Sequence, residues 1–128
     1  MCSRCVVSGL LLSGTILLTS GSVAAQTVRL VCGGENQNSF TRMMAEEKAH
    51  TLLILYVSKD ARYLSGVETQ IINAGKPLME EKKCGPLGHL DVAAAGTYEL
   101  KARYQGVEQR RTLELAPQSS SRVMFMWD

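Results

Sequence analysis

The chain has 128 residues, 45% of them hydrophobic, with 14 Lys and Arg against 12 Asp and Glu. That length suffices for one domain with its own core and is short for two. The net charge of +2 excludes the dense basic footprint of a nucleic-acid binder.

Residues 1–25 differ from everything after them. Arg4 precedes an apolar run from Val6 to Leu18, and the small residues Val23-Ala24-Ala25 come just before Gln26. This is the pattern of a secretory signal peptide cleaved after Ala25. The run is shorter than the ~20 apolar residues that cross a bilayer. The expected mature domain is therefore 26–128, periplasmic or secreted, meeting the membrane only through the leader before cleavage. Cys2-Ser3-Arg4-Cys5 has the C-x-x-C spacing of redox and metal sites, but export discards it. The mature chain keeps Cys32 and Cys84, and an even pair in an exported protein reads as a disulfide. Closing a loop of that length stabilises a fold by about 4 kcal/mol in the chain-entropy model.

In chain order, Thr27 to Cys32 alternates as a first strand stopped by Gly33-Gly34. Ser39 to His50 changes to helical spacing, with Ser39 as N-cap and an apolar stripe of Phe40, Met43, Met44 and Ala45. Thr51 to Ser58 is apolar on both parities, as expected of a central strand covered on both faces. A polar excursion containing Tyr63-Leu64 leads to Val67, Thr69 and Ile71 alternating with Glu68 and Gln70, and Asn73 to Pro77 forms a turn. Leu78 to Lys83 reads as a charged, exposed return edge, and Gly85 to Leu90 as a loop carrying His89.

Ala93 to Leu115 holds the clearest pattern. Tyr98, Leu100, Ala102 and Tyr104 share one face of an extended strand, Gln105-Gly106 reverses it, and Val107, Leu113 and Leu115 share the inner parity of the return. Pro117 to Ser121 is a loop, and Arg122 to Trp127 a last strand with Val123, Phe125 and Trp127 on one parity. These elements predict an all-β, antiparallel sandwich of about seven strands with one short helix after the first strand.

The order of Gly33-Gly34, the apolar strand Leu52 to Val57, Tyr63-Leu64-Ser65-Gly66-Val67, Gly85-Pro86, Gly96-Thr97-Tyr98 and Tyr104-Gln105-Gly106 resembles small exported bacterial proteins with a carboxypeptidase-regulatory-like, transthyretin-like β-sandwich. Ala94 stands where members usually carry proline. The resemblance implies an Ig-like or transthyretin-like fold and an envelope location, and brings no shared active site.

Three chemistries compete. A hydrolytic site needs a nucleophile and an orienting acid beside His50 or His89, the two histidines. Asp91 shares a face with His89 on an extended segment, but no serine is adjacent in sequence, so no catalytic residue and no cofactor are assigned. Copper is the alternative: Met124 and Met126 project the same way and, with His89, offer soft donors for Cu(I). Against it, methionine is a common core filler, and packing in the core is the preferred reading of both. Recognition of an envelope protein or a glycan is the third and preferred role, through exposed loops held by the sheets, with Tyr63, Leu64 and the Ser119 to Ser121 loop as contacts. The reading from sequence is a non-catalytic, exported binding or accessory module.

Overall fold

A computed structural model describes residues 27–128; the expected leader and its cleavage position lie outside the described residues. Strands β1 (Val28–Gly33), β2 (Leu52–Ser58), β6 (Leu87–Val92) and β9 (Ser121–Trp127) form one sheet in the order β1-β6-β2-β9. Strands β3 (Val67–Asn73), β4 (Lys76–Pro77), β5 (Lys82–Cys84), β7 (Gly96–Tyr104) and β8 (Val107–Leu115) form the second in the order β4-β3-β7-β8, with β5 also paired to β3. Helix α1 (Gln37–Ala45) follows β1, and a 3₁₀ turn (Glu47–Ala49) leads into β2. The architecture is mostly β, two sheets packed as a sandwich with one short helix after the first strand.

Period-two alternation explains the packing. Leu52, Ile54 and Tyr56 of β2 and Val123, Phe125 and Trp127 of β9 meet Val67 and Ile71 of β3 and Tyr98, Leu100 and Ala102 of β7 in one core. Tyr56 brings a hydroxyl into that core and shares a 2.9 Å hydrogen bond with Thr69 Oγ1, so the buried polar atom is satisfied. The other parity of β2, Leu53 and Leu55, joins Leu87 of β6 in a second cluster under Met43, Phe40 and Met44 of α1. The expectation of a central strand covered on both faces holds: every residue of β2 is buried.

The hairpin forms as its pattern predicts. Tyr98, Leu100 and Ala102 are fully buried, and β7 pairs antiparallel with β8 from Gly96↔Leu115 to Tyr104↔Val107. Gln105 and Gly106 take φ of 49° and 81°, as a two-residue hairpin turn requires.

Several expectations are corrected. The described residues form nine strands, two of them very short, and one pairing is parallel: β9 runs alongside β2 from Leu52↔Ser121 to Ser58↔Trp127. Helix α1 begins earlier than predicted, because Asn36 is the N-cap and its Oδ1 accepts the Ser39 N–H at 2.9 Å. Ser39 lies inside the helix instead, where its Oγ accepts the Gly34 N–H at 2.9 Å, and Ala45 is exposed. The helix approaches β1 so closely that a Cβ at Gly33 would come within 2.8 Å of Met43 Sδ.

The segment taken for a loop around His89 is strand β6, paired to both β1 and β2. Val107 is 56% exposed at the hairpin tip. The inner parity of β8 turns polar there, since Arg111 stacks over the Phe125 ring and Gln109 Nε2 donates to the Met126 carbonyl at 2.6 Å, joining the edges of the two sheets. Met124 and Met126 are not core filler: they are 43% and 49% exposed, because they alternate with Val123, Phe125 and Trp127, which take the inner face.

Candidate functional site

The side chains singled out from sequence fall in different places. Cys32 and Cys84 are joined in a disulfide, which staples β1 of one sheet to β5 of the other. Beside it, Lys82 Nζ donates to the Leu30 carbonyl at 2.8 Å, a second tie between the sheets. Tyr63 is 48% exposed and packs edge-on against Phe40 at 4.8 Å, over a cleft of about 510 Å³ rimmed by Asn36, Gln37 and Ser65. Leu64 is buried in the core and offers no contact surface. The Ser119 to Ser121 loop is tied down on Thr51, whose carbonyl accepts from both Ser119 Oγ and the Ser121 N–H.

The copper set does not assemble. His89 lies on β6 opposite Leu53 of β2, and Met124 lies on β9 opposite Leu55 of β2. A whole strand therefore separates the histidine from the methionines, about 9–10 Å at the spacing of paired strands. The methionines instead flank Tyr63 and Val57 on an open apolar surface.

What His89 meets is His50. Helix α1 ends at Glu46, and the 3₁₀ turn delivers His50 over the outer face of β6, where the two imidazoles stack at 4.1 Å between centroids and 21° between planes. The turn is pinned from the far side by Arg122 of β9, whose Nε and Nη2 donate to the two carboxylate oxygens of Glu47 at 2.9 and 2.6 Å. That pair, Arg122 first, holds the Glu47 carboxyl below its ordinary value. Asp91, two residues beyond His89 on the same face, orients His50: Oδ2 lies 2.8 Å from its Nδ1, while Oδ1 accepts the Thr51 N–H at 3.1 Å. Fixing Nδ1 on a carboxylate leaves Nε2 as the free lone pair, the arrangement that orients a metal-ligating histidine.

His89 is 2% exposed, and its Nε2 has no hydrogen-bond partner among the described residues. An unsatisfied buried polar atom of this kind costs about 1–3 kcal/mol. Burial chiefly, and then the neighbouring His50, push its pKa below the ordinary value, against an opposing hydrogen bond to the Met43 backbone, so the ring is neutral at pH 7. Glu46, exposed at the end of α1, completes the group: one donor atom from each of Glu46, His50 and His89 lies within 4.8 Å of the others. The three open onto a cavity of about 280 Å³ that Arg29 and Arg42 also line.

No family model matches the chain, and no curated protein matches it.

Two imidazoles and a carboxylate suit a borderline divalent ion such as Zn²⁺, Co²⁺, Ni²⁺ or Cu²⁺. Bonds of about 2.0–2.1 Å in a tetrahedron bring donors to roughly 3.3–3.5 Å apart, so binding requires the exposed Glu46 side chain to rotate and the His50 ring to swing out of its stack on His89 until both lone pairs converge. The sequence reading placed His50 at a helix end and His89 in a loop, and so missed their convergence. The signal available was the apolar, two-faced β2 directly after His50, which places that histidine at the start of a central strand.

Proposed function

We propose that the chain is an exported, non-catalytic binding module of carboxypeptidase-regulatory-like, transthyretin-like type, and that what it binds is a divalent transition-metal ion held by Glu46, His50 and His89. One observation carries the reading: a buried, neutral histidine with an unpartnered Nε2 stacks on a second histidine whose Nδ1 is fixed by a carboxylate. A histidine pair kept only for packing gains nothing from an unsatisfied nitrogen, whereas a metal ligand needs that lone pair bare. The leader and the paired Cys32 and Cys84 support export, and the two-sheet arrangement with a helix after the first strand agrees with the fold that the resemblance implies. The exposed Tyr63 surface is where such a module would meet an envelope protein or glycan.

Calorimetric titration of the oxidised 26–128 protein with Zn²⁺ should give one site per chain. His50→Ala and His89→Ala should each weaken it by about 100-fold or more, the loss of a ligand exceeding the 10–100-fold cost of losing its orienting partner. Met124→Leu with Met126→Leu should leave it unchanged. Circular dichroism at matched conditions separates lost ligation from lost fold. A wild-type protein that takes up no zinc, or folded histidine variants that bind as wild type, would defeat the reading.

A further inference from the structure

Arginines are partnered throughout the described residues, with two exceptions. Arg62 pairs with Asp60, Arg103 with Glu68 and Glu81, Arg110 with Glu99 and Glu108, and Arg122 with Glu47; Arg111 stacks on Phe125. Arg29 and Arg42 make no ion pair or side-chain hydrogen bond among the described residues, and both line the cavity that holds Glu46, His50 and His89. They come from different elements, Arg29 from β1 and Arg42 from the last turn of α1. A cation in the last helical turn is favoured by the helix dipole, which accounts for Arg42 as a charge. It does not account for Arg29, which lines the same cavity from β1, where its cross-strand neighbour is Asp91.

The balance of charge in the cavity points the same way. A divalent ion held by two neutral imidazoles and the Glu46 carboxylate keeps one positive charge, and the two guanidiniums add two more. The Asp91 carboxylate, hydrogen-bonded to His50 and the Thr51 N–H, offsets one of these charges and leaves a net excess of two. Three protein ligands also leave a tetrahedral ion one open position. We propose, resting on the metal reading above, that this cavity takes a small anion bearing a carboxylate or phosphate group, with one oxygen on the metal and the others on Arg29 and Arg42. The planar fork of a guanidinium matches both groups. The cavity volume of about 280 Å³ lies at the low end for ligand pockets and limits the occupant to a few heavy atoms beyond that group.

The test uses the oxidised 26–128 protein loaded with Co²⁺, whose visible absorption reports the ligand set. Succinate and inorganic phosphate are the two probes, titrated separately. Either should change the spectrum at saturation, and calorimetry should show the same anion binding about ten-fold or more weaker to metal-free protein, a cross-site coupling of ordinary size. The probe with the larger metal-dependent gain identifies the group. Arg29→Gln with Arg42→Gln should keep Co²⁺ affinity within about three-fold, its ligands being intact, yet lose about ten-fold or more in anion affinity, as expected when charge-assisted bonds are removed. Co²⁺ binding with no response to either anion, or a double variant that binds anion as wild type, overturns this inference and leaves the metal reading standing. Failure of the wild type to bind Co²⁺ overturns both.

Discussion

The outer faces of the two sheets treat charge in opposite ways. On the β3-β7-β8 face, Arg103 lies between Glu68 and Glu81, Lys101 reaches Glu81, and Arg110 lies between Glu99 and Glu108. On the β1-β6-β2 face, a buried nitrogen and two arginines around one cavity have no side-chain partners among the described residues. The first face is complete as it stands and resists edge and face association by its alternating charge. A buried unsatisfied nitrogen such as His89 Nε2 calls for an explanation of its own, whereas the exposed arginines are free to take water.

The comparison is broken most severely from inside. Leu100 is fully buried between the sheets, so Leu100→Ala should lower stability by about 2–5 kcal/mol, read from urea midpoints. A loss below 1 kcal/mol would mean that the sheets are not packed on this residue.

Asp91→Asn tests the unsatisfied face. Its fold partners survive as an amide, but the carboxylate that orients His50 is gone. Zinc affinity should drop by about 10–100-fold, the usual cost of removing such a partner. Unchanged affinity would assign Asp91 to the Thr51 backbone alone.

Acidification should expose His89. Its pKa in the folded, metal-free protein lies below the ordinary 6.5, by burial first and His50 second, so the unfolded chain takes up the proton before the folded one does. Its contribution is therefore fully present above pH 6.5, declines as the pH falls below 6.5 through the folded value, and then levels off. Urea midpoints of wild type and His89→Gln across pH 7.5 to 5 should converge on the acid side of 6.5. Parallel curves would show that His89 titrates normally.

The smallest effects belong to the paired face. Glu99→Ala and Lys101→Ala remove partly covered partners of Arg110 and Glu81, and each should change stability by no more than about 0.5 kcal/mol, as surface ion pairs usually do. A loss comparable to Leu100→Ala at either position would erase the difference between the inner and outer parities of β7.

The sequence made the hairpin legible because Tyr98, Leu100 and Ala102 alternate with charged residues without interruption, and β2 because both of its parities are apolar. Strand β6 was not legible. Gly85-Pro86 and Gly88 look like loop residues, yet Gly85 has φ of 109° and leaves no room for a Cβ, which would come within 2.3 Å of the Leu64 carbonyl. Gly88 is a packing glycine, its missing Cβ making way for Cys84 Sγ at 3.2 Å. The segment reads as a turn because one glycine makes way for the Leu64 carbonyl and the other for the disulfide sulfur. The candidate site was hidden for a related reason: Glu46 and His50 belong to a helical segment and His89 and Asp91 to the unrecognised strand, so only the pairing of β6 with β2 brings them together. The methionines misled in the other direction, since Met124 and Met126 carry the composition of a core and the parity of a surface.

The parallel contact between β2 and β9 has a kinetic side. Leu52 pairs with Ser121 and Ser58 with Trp127, so the centre of the first sheet is completed by one of the last segments of the described chain to be synthesised. Arg122 of the same strand pins the turn that carries His50. Non-local pairings of this kind slow folding toward the millisecond-to-second range. The turn that carries His50 therefore gains its Arg122 anchor only when β9 has docked on β2.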